Sequence, residues 1–253
     1  MKIESKSWQR FDGKLRNLKQ YLQLMDLSLT ISNKQCNKFK GEKLKINEIL
    51  GAKKESHQQL NIPNQSKDIN RTFKTARTLL HEQAFIELHC LFSDYISNII
   101  AEFSKGDPNR LLNDILSQEK DRNLKFSEIV KLGSYDAVIK AMSQKIYRVL
   151  ENLRSSTEMM NKLIAFTKIK IDEELIKKAL IYIEVRHLII HNNSLADEQF
   201  ILRDQKKLIP LKKNKLSFNY DITNRATTTI FELCKKIDEE MINNGFLTIR
   251  AQL

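Results

Sequence analysis

The sequence is poor in glycine and proline, the two residues that most often interrupt regular structure. Its 253 residues include 6 glycines and 3 prolines, whereas roughly 7% and 5% are typical of proteins. So few breaks argue against a turn-rich all-β chain and favour long helices. Because 41% of the residues are hydrophobic, the chain can bury a substantial core. We therefore expect an all-α fold.

Cysteine is also sparse, and long apolar runs are missing. Cys36, Cys90 and Cys234 lie far apart, without a CxxC pair and without a histidine at metal-ligand spacing from any of them, so neither a disulfide framework nor a cysteine-based zinc site is predicted. No stretch approaches the ~18 uncharged apolar residues of a membrane-spanning helix. The N-terminal segment MKIESKSWQRFDGK lacks the apolar centre of a signal peptide. We expect a cytoplasmic protein with no membrane partner.

Basic residues outnumber acidic ones in this sequence. The chain has 43 Lys+Arg against 31 Asp+Glu, a formal net charge of +12, and such an excess favours polyanionic partners such as nucleic acid. The alternative is compositional, because AT-rich genomes encode lysine-rich proteins. The lysine-rich stretch 33–68 is broken by Gly41, Gly51 and Pro63. It is predicted to be a loop whose charges are mostly solvated.

Apolar residues that recur every three or four positions predict the helices. The predicted helices span residues 8–31, 70–103, 110–118, 125–152, 155–170 and 171–191, and a last one begins at Asp221. Gly106 is expected to end the second helix, and Gly133 is a candidate break within 125–152. We divide the chain into residues 1–69, an N-terminal helix and lysine-rich loop that pack on the core, and residues 70–253, one helical domain.

A small C-terminal β-hairpin is predicted within residues 199–221. Leu216, Phe218 and Tyr220 alternate with polar residues there, and the preceding KKNK is typical of a turn.

The segment VRHLIIHNN, residues 185–193, places polar residues at the end of the most apolar predicted helix. Arg186 is a permanent cation whose planar fork matches phosphate oxygens, and burying it without an anion is costly. The alternative to a functional role for Arg186 is an ion pair with Glu184 or Glu82. His191 lies where the helix dipole favours positive charge, and histidine suits proton transfer near neutral pH. The alternative to a functional role for His191 is that it caps the helix.

Helix geometry separates Arg186 from His191. Five residues advance a helix by about 7.5 Å and about 500°, so the two side chains leave the axis roughly 140° apart. Convergence on one phosphate needs the long arginine arm, a loosened last turn, or a second copy of the helix across a two-fold axis. We favour the two-fold arrangement, which predicts a homodimer.

The motif R-H-L-I-I-H, residues 186–191, resembles the R-x4-6-H signature of the HEPN superfamily (higher eukaryotes and prokaryotes nucleotide-binding), in which a polar residue, here His187, commonly follows the arginine. The continuation HNNSLADEQFI is similar to that of several toxin and phage-defence branches, with Ser194 where those branches often have glycine. The resemblance covers about 70–245 in architecture and 184–200 in recognisable residues. It implies an up-and-down helical bundle.

The resemblance also implies a function. HEPN ribonucleases are metal-independent endoribonucleases without a cofactor, in which the RNA 2′-hydroxyl attacks the adjacent phosphate and leaves a 2′,3′-cyclic phosphate. By this similarity Arg186 orients the phosphate and stabilises its charge, and His191 is the general base or acid. His187 and Asn192 support the phosphate or the catalytic imidazole. The implied partners are an RNA substrate, a second copy that completes a composite active site, and an antitoxin or other component of a defence system.

Two other functions stay open at this point: a non-catalytic HEPN module that binds nucleotide or a partner subunit, and a basic helical DNA-binding protein. The segment HEQAFIELH, residues 81–89, is not a zinc-protease helix, because its second histidine comes eight residues after the first instead of four. Glu82 and Glu87 in this segment are either acidic partners of the motif or part of a solvated face. The sequence has no glycine-rich phosphate loop and no nucleophile elbow.

Overall fold

The chain is helical along most of the residues that the structure describes. The structure, a computed structural model, describes residues 4–39, 46–51, 66–106, 125–151, 156–204 and 207–247. The helices are α1 (Lys6–Lys38), α2 (Ile46–Ile49), α3 (Ser66–Gly106), α4 (Phe126–Leu132), α5 (Tyr135–Glu151), α6 (Ser156–Thr167), α7 (Glu173–His191), α8 (Glu198–Arg203) and α9 (Tyr220–Asn243). Strands β1 (Leu211–Lys212) and β2 (Lys215–Leu216) form an antiparallel hairpin. The predicted all-α class with a small C-terminal hairpin is confirmed.

Polar contacts define the directions of the long helices. Lys14 binds Asp94 at 3.0 Å, and Asp26, further along α1, binds the earlier residue Arg77 at 2.8 Å, so α1 and α3 are antiparallel. Asp238 near the end of α9 accepts hydrogen bonds from the backbone and hydroxyl of Ser5, so α1 is also antiparallel to α9.

One histidine joins these three helices. His81 on α3 is only 1% exposed, with its Nε2 3.3 Å from Asp26 of α1 and its Nδ1 3.0 Å from the Thr223 hydroxyl of α9. Burial lowers the pKa of His81, and the Asp26 charge opposes this by less. Its partners and its burial give His81 a structural role in the core.

The N-terminal helix is longer than its predicted range of 8–31. It continues to Lys38 because Cys36 is buried against a second apolar cluster. This burial offsets the entropic cost of ordering another two turns of lysine-rich chain. The other buried members of this cluster are Ile46, Ile49, Ile69 and Phe73. Part of the predicted loop 33–68 is therefore helical. Residues 40–45 and 52–65 of that loop, and the predicted helix 110–118, lie outside the described residues.

Helix α3 is central, as its apolar pattern predicts, and it ends at Gly106 as expected. It packs against α1, α5, α7 and α9, so apolar residues on more than one of its faces are buried, and Phe85 and Ile96 are completely buried. Leu79, an apolar residue of the same helix, is 57% exposed.

Helix α7 is enclosed on nearly all sides, which explains its apolar sequence. Its buried residues are Ile176, Ala179, Leu180, Ile181, Tyr182, Ile183, Val185 and Leu188. The Asp172 side chain caps its start by accepting a hydrogen bond from the Glu174 backbone. Among the described helices, neither α7 nor any other has the length and hydropathy to cross a lipid bilayer.

The segment before the hairpin departs from the prediction. Asp197 accepts a hydrogen bond from the Phe200 backbone at 2.7 Å and starts α8, which buries Phe200. The strands are confined to the residues around Lys213 and Asn214, both of which have positive φ as a tight hairpin turn requires. The alternation of apolar residues from Leu216 to Tyr220 therefore predicted a strand that ends, in the structure, at Leu216.

The break within the predicted helix 125–152 lies where it was expected. Gly133, in the left-handed conformation, separates α4 from α5.

Candidate functional site at the C-terminal end of α7

The last turn of α7 is closed by backbone hydrogen bonds. The N–H groups of Asn192 and Ser194 both donate to the carbonyl oxygen of Leu188, at 3.0 and 2.9 Å. Asn193 and Ser194 have φ values of 51° and 62°, in the left-handed region where glycine is preferred. The Ser194 hydroxyl donates to Glu82 of α3 at 2.6 Å. The helix end is therefore fixed to α3 by a side chain that glycine lacks.

The loop after α7 is also tied to the hairpin. The Leu216 N–H donates to the Ser194 carbonyl, and the Ala196 N–H donates to the Asn214 carbonyl, both at 2.8 Å. The exposed hairpin lysines therefore lie beside the loop that follows the motif; they are Lys212, Lys213 and Lys215. In the described part of the chain these lysines have no ion pair. From the sequence, KKNK was recognised only as a turn.

Arg186 lies half-buried at the contact of α7 with α3, where its charge acts on His89 and Cys90. Its Nε atom is buried without a hydrogen-bond partner among the described residues.

The two acids considered as ordinary partners of Arg186 are engaged elsewhere. Glu184 pairs with Arg203 at 3.3 Å, and Glu82 accepts the Ser194 hydroxyl. The ion-pair alternative is therefore wrong for both acids. The solvated-face interpretation holds for Glu87, which is exposed, but not for Glu82, which is half-buried.

His89 was not identified as a site residue from the sequence. Burial lowers its pKa most, the Arg186 charge lowers it further, and the Ile183 backbone opposes both effects. Its Nε2 lies 3.5 Å from the Ser93 hydroxyl, and its Nδ1 is buried without a hydrogen-bond partner among the described residues. Burial and the Arg186 charge therefore both disfavour the protonated imidazole. No sequence signal connects these residues, which meet only because α3 and α7 pack together.

His187 and His191 form a second pair, on the exposed side of α7. Both are exposed, and their ring centroids lie 4.8 Å apart with an interplanar angle of 44°. Residues four apart on a helix are neighbours on one face. Ile190, 44% exposed, projects between this pair and Arg186 around the helix axis.

The structure therefore places Arg186 within electrostatic reach of His89 and brings the ring of His191 to that of His187. In the described part of the chain, no hydrogen bond, ion pair or ring contact joins Arg186 to His191, in keeping with the wide angle that helix geometry requires. Asn192 is the C-terminal cap of α7 and lies half-buried beside His191.

A cleft of about 1140 Å³ lies on another side of α7, between α6 and α8. Glu184, Arg203 and Lys177 are in its lining, but none of the predicted site residues is. Burial raises the pKa of Glu184, and Arg203 opposes this by less. The predicted phosphate-handling residues therefore do not line this cleft. Within the described ranges, no group of three or more metal-ligating side chains is assembled.

What the fold and the site define is an all-α chain with two exposed histidines at the end of a largely buried helix, and with an arginine beside them that has no acidic partner in the described ranges. Comparison of the chain with protein-family models, with curated proteins and with solved structures returns no match.

Proposed function

We propose that the chain is a metal-independent endoribonuclease of the HEPN type, acting as a toxin or phage-defence effector in the cytoplasm, with Arg186 and His191 as its catalytic residues. The observation that carries the proposal is the state of Arg186. Arg186 is half-buried with a buried Nε, and the acids Glu184 and Glu82 are occupied by other partners. A cation that is partly withdrawn from water favours an anionic partner, and an RNA phosphate is an anion that fits the planar fork.

The proposed reaction is an internal transesterification. A neutral His191 imidazole takes the proton of the RNA 2′-hydroxyl, and the 2′-oxygen bonds to the adjacent phosphorus. The bond from phosphorus to the 5′-oxygen breaks, and that oxygen receives a proton. Arg186 stabilises the negative charge that builds up on the phosphate, the kind of contribution that is often the largest in catalysis. The products are a 2′,3′-cyclic phosphate and a 5′-hydroxyl.

A second copy of the chain completes this site in the proposal. One α7 directs Arg186 and His191 to different sides, so a two-fold axis near the helix end would bring one protomer's arginine to the partner's imidazole. The partner's His191 would then supply the leaving-group proton. Exposed apolar side chains around the motif support such a contact: Ile190 is 44% and Leu195 48% exposed, and Leu79, one turn before Glu82 on α3, is 57% exposed.

The hairpin supports RNA as the substrate. Its three exposed lysines, Lys212, Lys213 and Lys215, lie beside the motif loop without acidic partners among the described residues. Backbone phosphates are the groups that such lysines contact. His187 and Asn192 are proposed to hold the phosphate or to orient the His191 ring.

The test is cleavage of total RNA by the purified chain in EDTA, with the ends of the products analysed. We expect 2′,3′-cyclic phosphate and 5′-hydroxyl ends, and loss of cleavage in Arg186→Ala and in His191→Ala. Arg203→Ala is the matched control, because it removes an arginine that pairs with Glu184 on the cleft side of α7 and should leave cleavage intact.

Undiminished cleavage in both motif variants contradicts the proposal. Absence of cleavage of any RNA, together with normal growth on expression, favours the non-catalytic HEPN module instead. Steeply salt-dependent binding to duplex DNA without RNA cleavage favours the DNA-binding alternative.

A further inference from the structure

The exposed histidine pair has a geometry that proton transfer by one imidazole does not require. His187 and His191 are separated by one helical turn, both are exposed, and their ring centroids lie 4.8 Å apart. Two histidines four residues apart on a helix are the arrangement by which zinc-binding helices present two ligands to one metal ion.

The pair is held in this geometry before any ligand binds. Its spacing depends on regular helix up to residue 191, and the hydrogen bonds to the Leu188 carbonyl keep the last turn intact. The bond from Ser194 to Glu82 holds the following loop against α3. Binding therefore needs rotation of two exposed rings and no change in the backbone, which lowers the entropic cost of binding.

The other described histidines are not available in the same way. His81 is 1% exposed and is held between Asp26 and Thr223. His89 is half-buried against α7, and its neighbour across the contact is the cationic Arg186, which repels a metal ion. The exposed pair on α7 is therefore distinct from both.

We infer that His187 and His191 together chelate one transition-metal dication of the Zn²⁺ or Cu²⁺ kind on the surface of α7, with water in the remaining coordination positions. Imidazole nitrogens bind Zn²⁺ and Cu²⁺ well, whereas Mg²⁺ and Ca²⁺ prefer oxygen ligands. A distance of about 2.0–2.1 Å from the metal ion to each ring nitrogen places the ion between the two rings. Because the chain supplies two ligands, the site is open and exchanges its metal with solution.

The consequence for activity rests on the proposed function. A metal ion on His191 occupies the nitrogen lone pair that would accept the 2′-hydroxyl proton. Bound metal is therefore an inhibitor and not a cofactor, and EDTA is expected to raise the activity of a preparation that contains zinc.

The test is calorimetric titration of the tag-free full-length chain with Zn²⁺ at pH 7.5. We expect one ion per chain, and a loss of affinity of at least about tenfold in His187→Ala and in His191→Ala, since even loss of an outer-shell partner typically weakens metal binding 10- to 100-fold. His89→Ala and Cys90→Ser are the matched controls: the first removes another histidine, and the second removes the exposed thiol of α3. Both should bind Zn²⁺ like the wild type.

Electron paramagnetic resonance of the Cu²⁺ complex gives a second readout. Coupling to two imidazole nitrogens is expected in the wild type and to one in each single variant of the pair. Equal Zn²⁺ binding by the wild type and both pair variants overturns the inference, as does loss of binding in Cys90→Ser alone.

The activity assay separates this inference from the proposed function. Zn²⁺ binding that depends on His187 and His191 in a chain that cleaves no RNA supports the metal site and contradicts the ribonuclease. RNA cleavage in EDTA by a chain whose Zn²⁺ binding does not depend on the pair supports the ribonuclease and contradicts the metal site.

Discussion

The charge of Arg186 on α7 lowers the pKa of His89 on α3, and Nε of the arginine and Nδ1 of the histidine are both buried without a close hydrogen-bond partner among the described residues. Nearly all buried polar groups in folded proteins have a partner, and leaving one unpaired costs about 1–3 kcal/mol. Two such atoms on adjacent helices are a departure from ordinary core packing. Arg186 lies beside the exposed histidines.

Replacing Arg186 should change the titration of His89. Arg186→Ala removes a positive charge that disfavours the imidazolium, so the pKa of His89 should rise towards its ordinary value of 6.5. It should stay below that value because burial, the larger cause, remains. Arg186→Lys keeps the charge and is the control. The Cε1–H resonance of His89 followed by NMR against pH measures the effect, and an unchanged or lowered pKa in Arg186→Ala refutes it.

Asp238 should make the folded chain less stable as the pH rises from 4 to above 6. Its side chain is buried, and burial raises its pKa from 3.8 to about 6, while the hydrogen bonds from Ser5 act in the opposite direction. The folded state therefore holds a proton that the unfolded state releases. The stabilising contribution of Asp238 to the free energy of unfolding is fully present below about pH 4. It is lost as the pH rises from 4 through 6, by up to about 3 kcal/mol.

Urea unfolding of the wild type and Asp238→Asn at several pH values tests this prediction. The asparagine does not titrate, so the difference in unfolding free energy between the two proteins should shift in favour of the variant as the pH rises. His81 and His89 titrate in both proteins and cancel in the comparison. A difference that is constant between pH 4 and 7 would mean that Asp238 has an ordinary pKa.

Ser194 should tolerate glycine better than alanine. Both substitutions remove the hydrogen bond to Glu82, and a bond to a charged group contributes about 1.5–3 kcal/mol. Only alanine keeps the left-handed backbone strain at φ 62°, which costs an L-residue about 1–2 kcal/mol. Chemical denaturation should rank the wild type first, Ser194→Gly second and Ser194→Ala last. If alanine proves as stable as glycine, backbone strain at this position is not significant.

The hairpin lysines should govern the salt dependence of RNA binding. Changing Lys212, Lys213 and Lys215 together to alanine should reduce the slope of log affinity against log salt by up to about 2, because each phosphate contact on a single strand contributes about 0.7. Filter binding at several salt concentrations measures the slope. A control variant removes the same charge elsewhere, at Lys131, Lys140 and Lys162, which are exposed on α4, α5 and α6. Equal slopes in the two triple variants would remove the hairpin from the interface.

The long helices could be predicted because apolar spacing reports burial directly. The predicted ranges 8–31 and 171–191 fall on helices α1 and α7, whose buried residues include Trp8, Phe11 and Val185. The extension of α1 could not be predicted, since it depends on Cys36 meeting α2 and α3, which are distant in the sequence. Helix α8 was missed although Asp197 is a residue type that often caps helices, because the alternation further on suggested strands throughout.

The candidate site was predictable residue by residue but not as an arrangement. The position of Arg186 and His191 at the end of a buried helix followed from their place in the apolar pattern. The side to which a long arginine turns is decided by its neighbours, so its electrostatic effect on His89 could not be read from α7. The proximity of KKNK to the motif depends on hydrogen bonds between loops, and loops carry no periodicity.

The bond between Ser194 and Glu82 makes the end of α7 behave differently from most helix ends, which fray. Unwinding the turn that carries His191 requires the loop to leave α3 and the hairpin at the same time, so these parts should open together in one cooperative event. A ligand or protein that loosens any one of them would thereby release both histidines from their common orientation.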